Sequence, residues 1–195
     1  MVQRMAIWVA RHFGVDIDGL FWDLLYRELI RTELSLNKDG NFAEVFKHIG
    51  AEASIGSAKR HSTVIKLFAP KSATDILGYI EIIWATVFGI DLEMSEDLIT
   101  EEEGNVTRTT LKVAHCPICQ GFGDDKEDFP ELLKETLGQK GEGYACILVG
   151  MIEGLSNYLF ELREEPYKVK IVEKECIALG GDQMVFEAIL TKLES

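Results

Sequence analysis

The chain has 195 residues, 47% of them apolar, which is enough to build the core of one sizeable domain. Lysine and arginine total 20 against 33 aspartates and glutamates, and the net charge of -13 repels phosphate backbones. No apolar run approaches the ~18 residues of a membrane span. Polar residues also interrupt the N-terminus before a secretory core can form. We therefore expect a cytoplasmic protein that binds neither nucleic acid nor membrane.

The N-terminal part of the chain is predicted to be mostly helical. Apolar residues recur at helical spacing over residues 2–36, with glycines marking a break, and this pattern predicts two helices. After a loop at 37–41, a further helix starts at Phe42 and is expected to end between Gly50 and Gly56. The β-branched run at 62–68 predicts a short strand.

The middle of the chain contains one strongly apolar helix. A broad apolar stripe predicts this helix over residues 76–88, capped by Ser72 or Thr74 and ended by Gly89. Farther on, an acidic loop is expected at 121–128, followed by a short helix with Pro130 in its first turn. The longest helical pattern then runs from Tyr144 to Leu162 and places Cys146 near its start.

The strands are predicted to form one antiparallel sheet. Alternating residues at 90–94 and the β-branched run 106–113 predict two paired strands joined by an acidic loop. Residues 167–171 alternate between apolar side chains and lysines, and a glycine turn at 180–182 leads into a last strand at 184–190. The expected fold class is α+β, with helices packed on an antiparallel sheet of about four strands.

Four cysteines lie in the C-terminal half and give the best clue to function. Cys116 and Cys119 form a C-x-x-C pair directly after His115, and Cys146 and Cys176 follow. Cysteines in a cytoplasmic chain are metal ligands or free thiols more often than disulfides. Zinc takes four ligands of thiolate, imidazole or carboxylate type, so one pair supplies only half of them. The others would come from Cys146, Cys176, His115 or Glu173, brought together by folding.

The stretch from Cys146 to Phe186 resembles the 4-vinyl-reductase-type, or hydrocarbon-binding, domain family. The resemblance rests on Gly150 and Gly154 in "GMIEG", on Glu173 and Cys176 in "VEKECIALGG", and on Phe186 after the hairpin turn. It extends more weakly over residues 42–190. This family is related in fold to transport-particle subunits and nitric-oxide sensor domains. The resemblance implies helices packed on an antiparallel sheet around an apolar ligand cavity, as a domain over 42–195 preceded by a helical extension over 1–41.

The resemblance also implies a structural zinc site. The family's pattern maps onto Cys146, Glu173 and Cys176, but Met184 stands where a fourth ligand, a cysteine, is expected. A thioether is a poor zinc ligand. Either the site is lost, or Cys116 and Cys119 supply the missing thiolates.

The spacing of Glu173 and Cys176 sets a geometric condition for such a site. Alternate residues of a strand share a face, so Glu173 and Cys176, three positions apart, face opposite sides of a regular strand. Ligation of one ion by both residues therefore predicts a β-bulge between them.

These observations favour a non-enzymatic domain that binds a small apolar or aromatic ligand, carries a structural zinc and forms a homodimer. One alternative is an enzyme of tetrapyrrole or small-heterocycle metabolism with Cys116 as nucleophile. Another is a redox sensor in which Cys116 and Cys119 form a disulfide. No known catalytic motif decides between these alternatives.

Overall fold

Helices and an antiparallel sheet make up the part of the chain that the computed structural model describes, which is residues 19–36, 42–60, 63, 70–96, 98–119 and 143–194. The helices are α1 (Gly19–Leu36), α2 (Phe42–Arg60), α3 (Ile76–Phe88) and α4 (Cys146–Leu162), with a 3-10 turn at Ile177–Leu179. The strands are β1 (Ile99–Glu103), β2 (Val106–Val113), β3 (Tyr167–Glu175) and β4 (Met184–Lys192). The predicted α+β class with an N-terminal helix is confirmed.

Several expected features lie outside the described residues. These are the first predicted helix before residue 19, most of the predicted strand at 62–68, the acidic loop at 121–128 and the short helix at Pro130. The division of the chain at residues 41 and 42 stays a prediction. No helix in the described ranges is both long and apolar enough to cross a membrane.

The four strands form one antiparallel sheet in the order β1-β2-β4-β3. One face of the sheet carries buried apolar side chains and joins the core; its members are Leu111, Val113, Val169, Ile171, Met184, Phe186, Ala188 and Leu190. The other face carries the lysines of β3, because residues of a strand alternate between its two faces. This alternation explains why β3 was predictable from sequence.

Strand β3 lies at one edge of the sheet, and side chains of α4 satisfy its outer backbone groups. The Asn157 side chain accepts the N–H of Val169 at 2.9 Å and donates to its carbonyl oxygen at 2.9 Å. Glu153 Oε2 accepts the N–H of Ile171, also at 2.9 Å. A buried backbone group without a partner would be costly. These bonds therefore fix α4 alongside β3.

The predicted strand at residues 90–94 is wrong. Only Met94 forms an isolated bridge, to Val113, whereas β1 is the acidic run Ile99–Glu103 that was expected to be a loop. Gly104 and Asn105 form a two-residue turn, with Gly104 at φ 62°. This turn pairs Glu103 with Val106 and sets the register of the hairpin. The two-residue turn therefore makes residues 99–103 the partner of β2, in place of the alternating residues 90–94.

Two predicted helix boundaries also need correction. Asp75, and not Ser72 or Thr74, caps α3, because its Oδ1 accepts the N–H of Gly78 at 3.2 Å. The Ser72 and Thr74 hydroxyls bond to each other instead, at 2.7 Å. The end of α3 at Gly89 is confirmed.

Helix α2 does not end between Gly50 and Gly56 but continues to Arg60. The reason is its close packing against α4, where glycines allow the two backbones to touch. A Cβ placed on Gly150 would overlap the carbonyl of Lys47, and one on Gly154 would lie 2.6 Å from the Cα of Ala51. Glycines that weaken an isolated helix are here the contact surface between two helices.

Replacing Gly150 with alanine should therefore destabilise the protein by about 1–3 kcal/mol, the usual cost of overpacking a close contact. Gly56→Ala is the matched control, because a Cβ there meets nothing within 4 Å. Alanine at that helix position should raise stability by up to about 1 kcal/mol. Urea unfolding followed by circular dichroism measures both changes. Equal effects of the two variants would contradict the packing described.

Candidate metal centre

The C-x-x-C pair lies in a buried turn just after β2. The N–H of Cys119 donates to the carbonyl of Cys116 at 3.0 Å and closes a single turn. Both side chains are completely buried. His115, the preceding residue, is exposed. The turn therefore directs the two thiols into the protein and leaves the histidine at the surface.

Cys176 and Glu173 reach the same region because β3 is irregular at its end. The pairing of β3 with β4 shifts register between Glu173 and Glu175, where Lys174 is the extra residue. This irregularity meets the geometric condition that ligation by both Glu173 and Cys176 sets. Cys176 is 4% exposed and Glu173 is 6% exposed. The bulge thus leaves both side chains buried next to the C-x-x-C turn.

The four side chains lie next to one another in series. Cys116 and Cys176 are close enough to Cys119 to raise the pKa of its thiol, and Cys119 and Glu173 are close enough to Cys176 to lower the pKa of that thiol. We call Cys116, Cys119, Cys176 and Glu173 the thiol–carboxylate cluster. The structure thus brings together four of the six residues predicted as metal ligands.

Two backbone groups just before α4 complete the surroundings of the thiol–carboxylate cluster. The N–H of Tyr144 donates to Cys176 Sγ at 3.4 Å, and the N–H of Ala145 donates to Glu173 Oε2 at 2.8 Å. A Cβ on the preceding residue, Gly143, would overlap the Glu173 carboxylate. A glycine at this position is therefore needed for the carboxylate to lie so close to the main chain.

The contacts favour negative charge on one sulfur. The hydrogen bond from Cys119, together with those from the Tyr144 N–H and Glu173, lowers the pKa of Cys176 to about 6. Hydrogen bonds to Cys116 and Cys176 raise the pKa of Cys119 well above its usual range. Burial, and then the neighbouring thiols, raise the pKa of Glu173 well above its usual value. Without a metal, these contacts therefore favour a thiolate at Cys176 and the protonated forms of Cys119 and Glu173.

Glu173 has an acceptor that the fold does not use. Its Oε1 is buried and has no well-formed hydrogen bond among the described residues, whereas Oε2 is bound by Ala145. Leaving a buried carboxylate oxygen unsatisfied costs about 1–3 kcal/mol or more. The oxygen therefore offers an available ligand beside three sulfurs.

The geometry is not that of a formed metal site. Within the described ranges, no group of three or more histidine, cysteine, aspartate or glutamate side chains has an arrangement that could hold a metal ion. Three sulfurs and a carboxylate oxygen are nevertheless a donor set that suits zinc. To bind zinc, the four side chains would have to lose protons and turn so that all four donor atoms point at one position. The chemistry of the donors fits a metal, whereas their present arrangement is a series of neighbouring side chains.

The contacts described for Cys146, which was also predicted as a ligand, are with Tyr26 and with the backbone of Tyr144. Its Sγ lies 3.1 Å from the Tyr26 hydroxyl of α1 and 3.6 Å from the carbonyl oxygen of Tyr144. The same hydroxyl donates to that carbonyl at 2.7 Å. Burial, followed by the neighbouring Cys146, raises the pKa of Tyr26 well above its usual range.

Tyr26 and the backbone of residues 144–145 were not identified from sequence. A backbone N–H carries no residue-specific signal, and a tyrosine on an apolar helix face is read as core. The available signal was Gly143 directly before Tyr144, because a glycine often marks a close approach of main chain and side chain.

A surface groove lies between α2, α4 and β3 and has a volume of about 330 Å³. Six of its ten lining residues are polar or charged, and the full set is Glu44, Lys47, His48, Ala51, Gly150, Glu153, Gly154, Asn157, Lys170 and Ile171. Such a lining does not match the apolar cavity that the family resemblance implies. The groove is also lined by none of the cluster residues.

Comparison by sequence gives no relatives: no family model matches the chain, and no curated protein matches it. Comparison by structure finds proteins with a similar fold. The chain is similar to a trafficking protein particle complex subunit 3 from Naegleria fowleri, in a structure covalently bound to palmitic acid, with a TM-score of 0.54 and 16% identity. The match covers 91% of this chain and 100% of that one.

A second similar structure is the phenol-responsive sensory domain of the transcription activator PoxR, solved with phenol. Its TM-score is 0.47 at 11% identity, over 90% of this chain and 75% of that one. The likeness to the trafficking particle subunit confirms the predicted fold relationship to transport-particle subunits. Membership of the 4-vinyl-reductase family stays a prediction.

The raised pKa of Glu173 makes a prediction for the zinc-free protein. Because the folded state holds the proton more tightly, the stability it contributes is complete below the usual pKa of 4.5 and is lost as pH rises through the folded value. Between pH 4.5 and 6, wild type should lose about 1–2 kcal/mol relative to Glu173→Gln. The Cys176 thiol, with its pKa lowered to about 6, adds stability as pH rises above that value, and this opposite effect therefore lies outside the window.

Urea unfolding in the presence of a chelator, at several pH values across that window, measures the difference. Glu102→Gln, at an exposed position of β1, serves as the control and should follow wild type. Parallel pH dependence of wild type and Glu173→Gln would show that Glu173 is ionised in the folded protein.

Proposed function

We propose that this chain is a non-catalytic small-molecule-binding domain whose fold is stabilised by a structural zinc ion. The observation that carries the zinc part is the thiol–carboxylate cluster, in which three sulfurs and one carboxylate are buried as neighbours. The proposed ligands are Cys116, Cys119, Cys176 and Glu173. Zinc in a site closed to solvent, with four protein ligands, serves structure rather than chemistry.

Several features support zinc at this position. Cys176 is already inclined to be a thiolate, and Glu173 Oε1 is a buried acceptor without a well-formed hydrogen bond. Zinc binding would displace the protons of Cys119 and Glu173, and the cation would offset the repulsion between the negative charges that result. The N–H groups of Tyr144 and Ala145 would offset the excess negative charge of three thiolates and a carboxylate.

We predict one zinc per chain in native mass spectrometry of the freshly purified protein. Cys119→Ser and Cys176→Ser should each lose the metal, since each removes a thiolate from the centre of the contact series. At a free zinc concentration 1,000-fold above Kd, zinc should stabilise wild type by about 4 kcal/mol.

Two variants serve as matched controls, because both residues were ligand candidates on sequence alone. Cys146→Ser alters the thiol beside Tyr26, and His115→Ala alters the exposed histidine before the pair. Both should keep the zinc. The proposal is wrong if wild type carries no zinc at any concentration, or if Cys146→Ser loses it while Cys119→Ser does not.

The small-molecule part of the proposal rests on the fold. The similar trafficking particle subunit was solved with palmitic acid covalently bound, and the family resemblance also implies an apolar ligand. We therefore propose that this chain holds a small apolar molecule. The polar groove at α2, α4 and β3 is not its site. The reduced thiols fit a cytoplasmic location, and a homodimer remains part of the proposal.

Native mass spectrometry also tests the ligand. We expect a non-covalent or covalent adduct in addition to zinc, recovered as an apolar compound when the denatured protein is extracted with organic solvent. Extraction of an unrelated protein purified from the same host in parallel is the control. Recovery of the same compounds in the same amounts from both would count against a specific ligand, and the measured mass also gives the oligomeric state.

A thiol redox sensor is the second candidate, favoured by the proximity of the Cys119 and Cys116 side chains. A peroxide would oxidise the two thiols to a disulfide and be reduced to water. Such a disulfide would shift electrophoretic mobility, reversibly with a reductant. Zinc should suppress this shift, so its persistence in zinc-loaded protein would favour redox sensing. The enzyme alternative is weakened by the complete burial of Cys116.

A further inference from the structure

Two side chains of helix α1 are buried in the part of the helix whose side chains are described. Of the α1 residues whose side chains are described, 25–33, 35 and 36, only Tyr26 and Ile30 are buried. Leu25, Leu29 and Leu36 are 39%, 47% and 78% exposed. Tyr26 and Ile30 are therefore the described α1 side chains that pack into the core.

Tyr26 combines apolar packing with a polar contact at the start of α4. Its ring packs edge-on against Phe46, with centroids 5.5 Å apart, and against Tyr144, at 4.9 Å. Its hydroxyl donates to the carbonyl oxygen of Tyr144 at 2.7 Å and accepts the N–H of Ile147 at 3.5 Å. The hydroxyl thereby satisfies backbone groups at the beginning of α4 that no helical partner can reach.

The segment 144–145 also faces the thiol–carboxylate cluster, through its two backbone N–H groups. The peptide between Tyr144 and Ala145 presents its carbonyl to Tyr26 and its N–H to Glu173, while the N–H of Tyr144 faces Cys176. A peptide unit is planar and rigid, so the orientation of its carbonyl fixes the orientation of its N–H. Only one peptide plane separates the Tyr26 hydroxyl from a proposed metal ligand.

We propose that Tyr26 is a positioning residue for the metal centre and that it couples zinc occupancy to the docking of α1. This inference rests on the proposed function. Zinc fixes Glu173 and Cys176, these fix the N–H groups of residues 144–145, and the Tyr144 carbonyl then holds the Tyr26 hydroxyl. Groups that orient metal ligands from outside commonly change metal affinity by 10- to 100-fold when they are removed.

The test compares wild type with Tyr26→Phe, which keeps the packed ring and removes only the hydroxyl. Zinc affinity is measured by competition with a chromophoric chelator, and hydrogen exchange of residues 25–36 is followed in zinc-loaded and chelated protein. We expect Tyr26→Phe to bind zinc 10- to 100-fold more weakly. In wild type, zinc should slow exchange in α1 by a similar factor, because coupling between two equilibria is reciprocal. In Tyr26→Phe, the exchange of α1 should respond little to zinc.

Tyr158→Phe is the matched control, since Tyr158 lies half-buried on α4 with Lys59 5.7 Å from its ring centroid, and it should behave as wild type. The coupling is overturned if Tyr26→Phe binds zinc within twofold of wild type, or if zinc does not change the hydrogen exchange of α1 in wild type. Either result leaves the zinc proposal unaffected. Absence of zinc from wild type would overturn the proposed function and this inference with it. Circular dichroism shows whether Tyr26→Phe is folded.

Discussion

The buried polar chemistry of this protein depends on two backbone N–H groups, those of Tyr144 and Ala145. A thiolate and a carboxylate are costly to bury without hydrogen-bond donors aimed at them, because an unpaired buried charge or acceptor is unfavourable. The two N–H groups meet Cys176 and Glu173 at 3.4 and 2.8 Å. They lie where the chain enters α4 and have no helical partner of their own. The start of the helix and the cluster therefore satisfy each other.

The position of that helix start follows from packing elsewhere. Close contact of α2 and α4 through Gly150 and Gly154 fixes one side of α4. Bonds from Asn157 and Glu153 to the edge of β3 fix another. Since protein cores are close-packed, a helix held on two sides has little freedom to shift along its axis. Residues 144–145 are thereby held within reach of the bulge that ends β3.

The burial of the cluster accords with the structural role proposed for it. A catalytic thiol needs access for its substrate, whereas Cys116 and Cys119 are completely buried. The proton distribution also differs from that of a nucleophile with a general base, because Cys119 and Glu173, the neighbours of the favoured Cys176 thiolate, retain their protons. Such a set of donors is suited to exchanging protons for a cation. The acidic surface of the chain would favour the approach of that cation.

The sequence by itself determined the elements with strong periodicity and the residues with distinctive chemistry. The stripe of α3, the long helix α4 and the alternating strand β3 were predictable because one buried face imposes its period on the sequence. The need for a bulge between Glu173 and Cys176 also followed from residue spacing alone. The tertiary structure decided what depended on contacts between distant segments: the extension of α2 through its glycines, the pairing of β1 in place of residues 90–94, and the position of Cys146 beside Tyr26. Residue patterns report burial, but backbone donors and the convergence of distant segments leave no trace in them.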